Sequence, residues 1–352
     1  MVKAVDIVVD LQAGDTGKGK VTHHLLNTAT EPYTAVCRFN GGGNAGHTIY
    51  HHGKKYVTHQ VPSGIFFGVP CVLGLGCVVN PQALADEVRA LREDGFTAPV
   101  YVDRRAHVTR ATHVETDRKD SAHLGTTGQG VGPTMMDKYG RTGLRMEQWG
   151  LDASVFRQLD ISVIDTFEMF HTEFTPHTVL CEGAQGFQLD VDWGDYPYVT
   201  SSHCTSGAVA LNGFPPSRWR KVYGVMKPYE TYSGFKLFNA RVDMETTYAA
   251  LQTLGGEIGA TTGRRRQVRS LHLDDVIRAI YVNDVTDVII NKIDIMEAAH
   301  TAGYTKVYQY KHNFLWWAYE TRQDFVDAVT RTLRLECPYL RTITWSDSPH
   351  AV

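Results

Sequence analysis

Residues 10–20, DLQAGDTGKGK, follow an aliphatic run with three glycines, two lysines and the loop acid Asp15. Gly14, Gly17 and Gly19 let backbone N–H groups converge on one anion, and a helix starting there adds a favourable dipole. Thr16, Lys18 and Lys20 supply further donors and positive charge. The pattern G-x-x-x-x-G-K fits from Gly14 to Lys20. Val21, however, stands where a Walker loop carries the Ser or Thr that binds Mg²⁺. Asp15 offers another route. A carboxylate inside an anion cradle repels phosphate unless a cation offsets it, so Asp15 is expected to ligate Mg²⁺ or to act as a general base. The plain alternative is a tight turn with a solvated acid.

A second glycine loop, RFNGGGNAGHT (38–48), also follows an aliphatic run. Gly41, Gly42, Gly43 and Gly46 permit close approach of backbone to a ligand. They present Asn44, His47 and Thr48. An imidazole at such a loop can donate to an oxygen that gains charge during group transfer; the alternative is a surface histidine. In TTGRRRQVR (261–269), planar guanidinium forks match carboxylates; the alternative is a solvated or nucleic-acid-binding patch. NKID (291–294) resembles the guanine-reading N-K-x-D of small GTPases, in which an aspartate accepts from guanine N1–H and the 2-amino group.

These loops need a scaffold. AVDIVVD, YTAVCRF, PVYVD, TVLCE, KVYGVMKPYETY and VTDVII read as strands, PCVLGLGCVV as a strand pair or strand-turn, and HHGKKYVTHQV as a hairpin around Gly53. KGKVTHHLLN reads as a helix. So does NPQALADEVRALREDG, where Leu84, Val88 and Leu91 share a face between Pro81 and Gly95. RQDFVDAVTRTLRLE is a final helix before TITW. Residues 119–150 read as glycine-rich and irregular. Alternating strands and helices predict an α/β fold: one large domain over 1–352, with a central, mostly parallel sheet, phosphate-binding loops and helix or loop insertions. Net charge is −3 over 352 residues, which suggests neither a nucleic-acid nor a membrane partner. The six cysteines form no CxxC and are expected to be reduced thiols of a cytoplasmic protein. No 18-residue apolar stretch is present. A Rossmann dehydrogenase would need G-x-G-x-x-G after the first strand, which GDTGKG does not supply.

The two loops, together with GTTGQGVGP (125–133), DKYGRTGLR (137–145), EGAQG (182–186), YPYVTSS (196–202), GATTGRRR (259–266) and NKID, resemble the adenylosuccinate synthetase family in kind and order. The resemblance implies a ligase that joins L-aspartate to a 6-oxopurine nucleotide, driven by a nucleoside triphosphate and Mg²⁺. It implies that Asp15 takes the purine N1 proton and ligates Mg²⁺ with the Gly46 carbonyl, and that His47 assists phosphoryl transfer. Gly14, Thr16, Gly17, Lys18, Gly19, Lys20, Gly46, Thr48, Lys292 and Asp294 would bind the triphosphate. Asn44, Thr126, Thr127, Gln185 and Thr200 would hold the purine monophosphate. Arg141 would reach in from the second subunit of a homodimer. Gln185 would also meet the base at the reacting centre. Thr261, Thr262, Arg264 and Arg266 would read the aspartate carboxylates.

Three departures stand out. The family loop carries Trp and Glu where Ala13 and Thr16 stand. The cellular enzymes' Arg-Val-Gly and Pro-Phe-Pro-Thr-Glu runs are replaced by PYETYSGFKLFNAR, near the ribose and purine. The tail WSDSPHAV only loosely matches. The first loop resembles that of the phage-type branch, 2-aminoadenylosuccinate synthetases acting on dGMP toward diaminopurine DNA. That branch implies ATP or dATP as donor, whereas NKID favours GTP. IMP is the alternative acceptor. A nucleotide-binding switch protein would share the first loop and NKID, but not His47, EGAQG or the arginines.

Overall fold

The structure, a computed structural model, describes residues 1–149, 153–172, 175–238, 242–348 and 352. Among these, a nine-stranded sheet runs in the order 342–345, 287–290, 219–226, 2–10, 177–182, 35–38, 71–73, 100–103 and 161–164. Every neighbouring pair is parallel. The expected sheet is therefore present. Its central strands read as near-continuous apolar runs because both faces are covered. In Val2–Asp10, Val5, Ile7 and Val9 pack into one core while Val8 packs on the other side with Val21, Val36 and Leu180. That is the two-residue alternation of a strand.

The register brings strand ends together. Asp10 lies opposite Val225, Val8 opposite Glu182, Glu182 opposite Arg38, and Met226 opposite Ile290. The loops after Asp10, Arg38, Glu182, Met226 and Ile290 thus leave one edge of the sheet. Helix Lys18–Thr28 begins at Gly17, whose φ of 98° suits a residue without Cβ. Helix Pro81–Glu93 is as expected: Asn80 caps it by accepting from the Ala83 amide, and Leu84, Val88 and Leu91 are buried.

Several expectations change. Residues 119–150 are not irregular throughout, because Val131–Gly140 is a helix whose Val131 and Met135 pack on Val78. An i,i+4 apolar pair sufficed there despite the flanking glycines. KVYGVMKPYETY is two strands, since Pro228 interrupts the ladder. Tyr229–Tyr232 leaves the main sheet and pairs antiparallel with Gln267–His272. That second sheet continues through Tyr308–His312 and Leu315–Tyr319. Trp316 and Trp317 are 41% and 44% exposed on its outer strand. Cys71–Leu73 joins the main sheet, while Val78–Val79 pairs with His107–Val108. Helices Ala111–Asp120, Glu245–Leu254 and Leu273–Asn283 had no counterpart in the sequence reading. All six cysteines are buried free thiols. No described helix is long and apolar enough to cross a membrane.

Burial lowers the imidazoles of His23, His107 and His272 to about 4. The unfolded chain binds these protons near pH 6.5 and the folded chain only near 4. Stability therefore rises with pH through that window and is fully present above it. Denaturant titrations of His107→Phe between pH 4.5 and 7 should show a flatter slope than the parent; an equal slope would contradict a neutral, buried His107.

Candidate active site

The first loop is held by an acid that ends its strand. Asp10 Oδ1 accepts from the amides of Gln12 at 2.9 Å and Gly14 at 3.3 Å. Its Oδ2 accepts from the Thr16 amide at 3.3 Å, the Thr16 hydroxyl at 2.5 Å and Lys18 Nζ at 3.0 Å. Thr16 and Lys18 thus turn toward Asp10. Gly14, Asp15 and Gly17 all have positive φ, so the loop coils as a nest of amides. Asn291 closes over it: its Nδ2 donates to the Thr16 carbonyl at 2.8 Å, and a Cβ at Gly17 would meet that nitrogen at 2.8 Å. Lys20 Nζ ties Asn291 Oδ1, at 2.9 Å, to Ser346 and Ser348, each at 2.6 Å. The tail residues 349–351 lie outside the described residues.

The second loop packs on the first. A Cβ at Gly19 would lie 3.1 Å from His47 Cβ and 3.5 Å from the Thr48 carbonyl. His47 Nδ1 is in close contact with Glu182 Oε1. Glu182 also accepts from the Ser63 amide and hydroxyl, both at 2.8 Å, and faces Arg38 Nη2 at 3.4 Å. Burial raises the Glu182 carboxyl, but Arg38 and His47 outweigh it and hold the group at about 2. Burial, then Arg38, lowers His47 to about 4. Arg38 Nη2 also approaches Nδ1, at 3.2 Å; the ionised carboxylate on the same nitrogen favours a proton there and holds the ring's orientation.

Next to these lie the remaining loops. A Cβ at Gly41 would meet Gln185 Oε1 at 2.8 Å, and that oxygen is buried without a hydrogen-bond partner. Asn44 Nδ2 approaches Thr200 Oγ1 at 3.5 Å. A Cβ at Gly46 would touch Ala260 at 2.9 Å and Thr261 Oγ1 at 3.0 Å; Thr261 donates to the Ala45 carbonyl at 3.2 Å. Thr262 Oγ1 accepts from the Arg264 amide at 3.3 Å. Arg264 Nη1 donates to the Gly125 carbonyl at 2.7 Å, its Nη2 is in close contact with the Thr126 carbonyl, and its guanidinium covers the Phe235 ring. Thr127 is half-buried beside them. Arg266 Nε pairs with Asp15 Oδ2 at 2.7 Å, and its Nη1 with Glu257 Oε2 at 2.7 Å. Lys292 also turns to Glu257, at 2.7 Å. Burial raises Asp294.

Arg141 stands apart. It is exposed, with φ 62°, at the end of helix Val131–Gly140, and it lines an open groove with His107, Lys138 and Arg145. Asp190, Asp192 and His203 also cluster. Asp190, however, accepts from the amides of Asp192, Trp193 and Cys204, which makes it a staple for its own loop.

Sequence reasoning passed over Asp10, Arg38, Glu182 and Glu257 as individual residues. A signal existed for three of them: each is the charged residue that closes an apolar strand, IVVD, AVCR and VLCE. Glu257 had none, because three of its four partners come from other segments.

Glycine cradles at the carboxyl edge of a parallel sheet define a nucleotide-binding α/β enzyme. Similarity to known proteins narrows this. The sequence model of the family described as adenylosuccinate synthetase matches residues 7–159 and 151–348. The adenylosuccinate synthetase of Shouchella clausii is 36% identical over 355 residues, spanning 88% of this chain and 82% of its own. That of Chlorobium phaeobacteroides is 35% identical, spanning 84% and 78%. The fully ligated adenylosuccinate synthetase of Plasmodium falciparum superposes with a TM-score of 0.81 at 23% identity, covering 99% of this chain and 98% of its own. The succinoaminodeoxyadenylate synthetase of cyanophage S-2L, bound to dGMP and dATP as an energy donor, gives 0.68 at 24% identity, covering 94% and 99%. At these identities the two structures share the fold. This chain belongs to the adenylosuccinate synthetase family and is a ligase that forms a carbon–nitrogen bond.

Removing one partner of a buried ion pair leaves the other charge uncompensated. Glu182→Gln, which strands Arg38, should therefore cost about 3–5 kcal/mol of unfolding free energy in urea. A loss below about 1 kcal/mol would show that Arg38 does not depend on this carboxylate.

Proposed function

We propose that this protein joins L-aspartate to C6 of dGMP, with hydrolysis of ATP or dATP, to give N6-succino-2-amino-2′-deoxyadenylate. The observation that carries the reaction is the meeting of Asp15, Arg266 and the Gly19–His47 contact in one place. A lactam oxygen is a poor leaving group. Asp15 removes the N1 proton, charge moves to O6, and O6 attacks the γ-phosphorus. The amine of aspartate then displaces phosphate at C6. Positioning and charge neutralisation carry the transfer step. His47, oriented by Glu182, stands beside the first loop to hydrogen-bond the transferring group. Arg264 and Arg266 take the carboxylates of aspartate. Gln185, with its unpartnered buried oxygen, meets the purine. Asn44, Thr127 and Thr200 hold the 5′-phosphate, with Arg141 acting across a homodimer.

Asp15 fits Mg²⁺: its carboxylate is 30% exposed and already faces a cation at 2.7 Å. Together with the Gly46 carbonyl it would hold the ion, which when bound neutralises charge on the phosphoryl oxygens.

The choice of dGMP rests on the segment that follows Met226. Cellular relatives are expected to carry Arg-Val-Gly there. Here Ser233 stands 3.5 Å from Asp15, and Phe235 lies on Arg264. A small residue beside the loop acid suits a base bearing a 2-amino group and a sugar without a 2′-hydroxyl. Asn239, Ala240 and Arg241 of this segment lie outside the described residues. IMP as acceptor, with GTP as donor, is the second reading. It is favoured by relatives at 34–36% identity that are named adenylosuccinate synthetase, and by NKID.

Phosphate release measured with aspartate, Mg²⁺ and either ATP or GTP should be faster with dGMP than with IMP; release with IMP alone would remove the dGMP reading. Asp15→Asn should bind both nucleotides, as read by calorimetry, while turnover falls at least about 10²-fold. Turnover near the parent's would contradict its role as base.

A further inference from the structure

Glu257 is fully buried just before the arginine loop, and four donors converge on it. Its Oε1 accepts from the Tyr229 hydroxyl at 2.7 Å, Lys292 Nζ at 2.7 Å and Lys227 Nζ at 3.3 Å. Its Oε2 accepts from Arg266 Nη1 at 2.7 Å. The donors come from separate places: the end of a central strand, the first residue of the Tyr229–Tyr232 strand, the turn after Ile290, and the arginine loop. Two bonds to the backbone hold this segment. The Arg266 amide donates to the Glu257 carbonyl at 2.9 Å, and Lys292 Nζ also reaches the Gly255 carbonyl at 2.8 Å.

The charges explain why one acid sits here. Lys227, Lys292 and Arg266 bring three positive charges to one point, Lys227 and Arg266 buried and Lys292 partly exposed, and Asp15 and Glu257 are carboxylates that meet them. Burial alone would raise the Glu257 carboxyl; the three cations reverse this and hold it well below the usual range. Burial lowers Lys227 to about 8. Removing Glu257's charge would leave the cations to repel one another. The geometry is equally specific. Arg266 spends Nη1 on Glu257, and its Nε lies 2.7 Å from Asp15 Oδ2. Lys227 meanwhile exchanges backbone bonds with the Gln12 side chain of the first loop, both at 3.0 Å.

We propose that Glu257 is a positioning residue that pins Arg266 of the carboxylate-reading loop and Lys292 of the triphosphate turn to one buried point, so that the two subsites are set together. The proposal rests on the subsites assigned above. It separates them from the 5′-phosphate subsite around Asn44 and Thr200, whose described contacts do not pass through Glu257.

Three variants test it, with Michaelis constants for each substrate and direct calorimetric titration of ATP and of L-aspartate. Glu257→Gln should raise the constants for aspartate and for the triphosphate about 10-fold each and leave that for the purine monophosphate within about 2-fold. Glu257→Asp, which keeps the charge, should recover part of both losses. A rise in only one of the two, in none, or in all three alike would overturn the proposal; the last would mean general loosening of the fold. Should Glu257→Gln fail to fold, Lys292→Met decides. It should weaken aspartate about 3-fold through Glu257 and Arg266, and unchanged aspartate affinity would overturn the coupling. A parent protein without turnover would instead refute the ligase substrates assigned above, while the titrations still report the coupling.

Discussion

Burying an ion in protein costs several kcal/mol unless another charge or a set of donors meets it. The carboxyl edge of this sheet is built from ions that are met. Asp10 gathers three amides, a hydroxyl and an ammonium. Glu182 gathers Arg38, His47 and Ser63. Glu257 gathers two lysines, an arginine and a tyrosine. None of these acids is free to meet a phosphate. Each instead holds in place the groups that can. The glycine loops would otherwise pay a large entropy cost to adopt a single shape.

The same interactions suit the proposed site to several anions. A triphosphate, a monophosphate and a dicarboxylate repel one another, so the groups facing them must be cationic, dipolar or metal-bearing. Coiled amides, arginine forks and a loop acid suited to Mg²⁺ meet that demand without an overall positive chain, whose net charge is −3. A local group of basic side chains can thus face small anions within a chain whose overall balance is acidic.

The fold and the site were legible in the sequence to different degrees. The parallel sheet could be read because its buried strands are aliphatic runs broken by glycine turns. The helix over 81–93 could be read because its cap and stripe are local. Helix Val131–Gly140 was hidden by the glycines around it, and the break at Pro228 was hidden by the strand-like residues on either side. The exposure of Trp316 and Trp317 could not be read, because it depends on which strand ends the second sheet.

Residue types and local order by themselves determined the loops, their glycines, and the chemistry that Asp15, His47, Arg264 and Arg266 could perform, since backbone freedom and side-chain charge are properties of short segments. Tertiary structure alone decided who partners whom: Arg266 with Asp15, Glu182 with His47, and Lys292 with Glu257. Those pairs join residues 35 to 251 positions apart in the chain. The packing of two sheets and the loops between them brings such residues together, and pairing across space leaves no periodicity for a sequence to display.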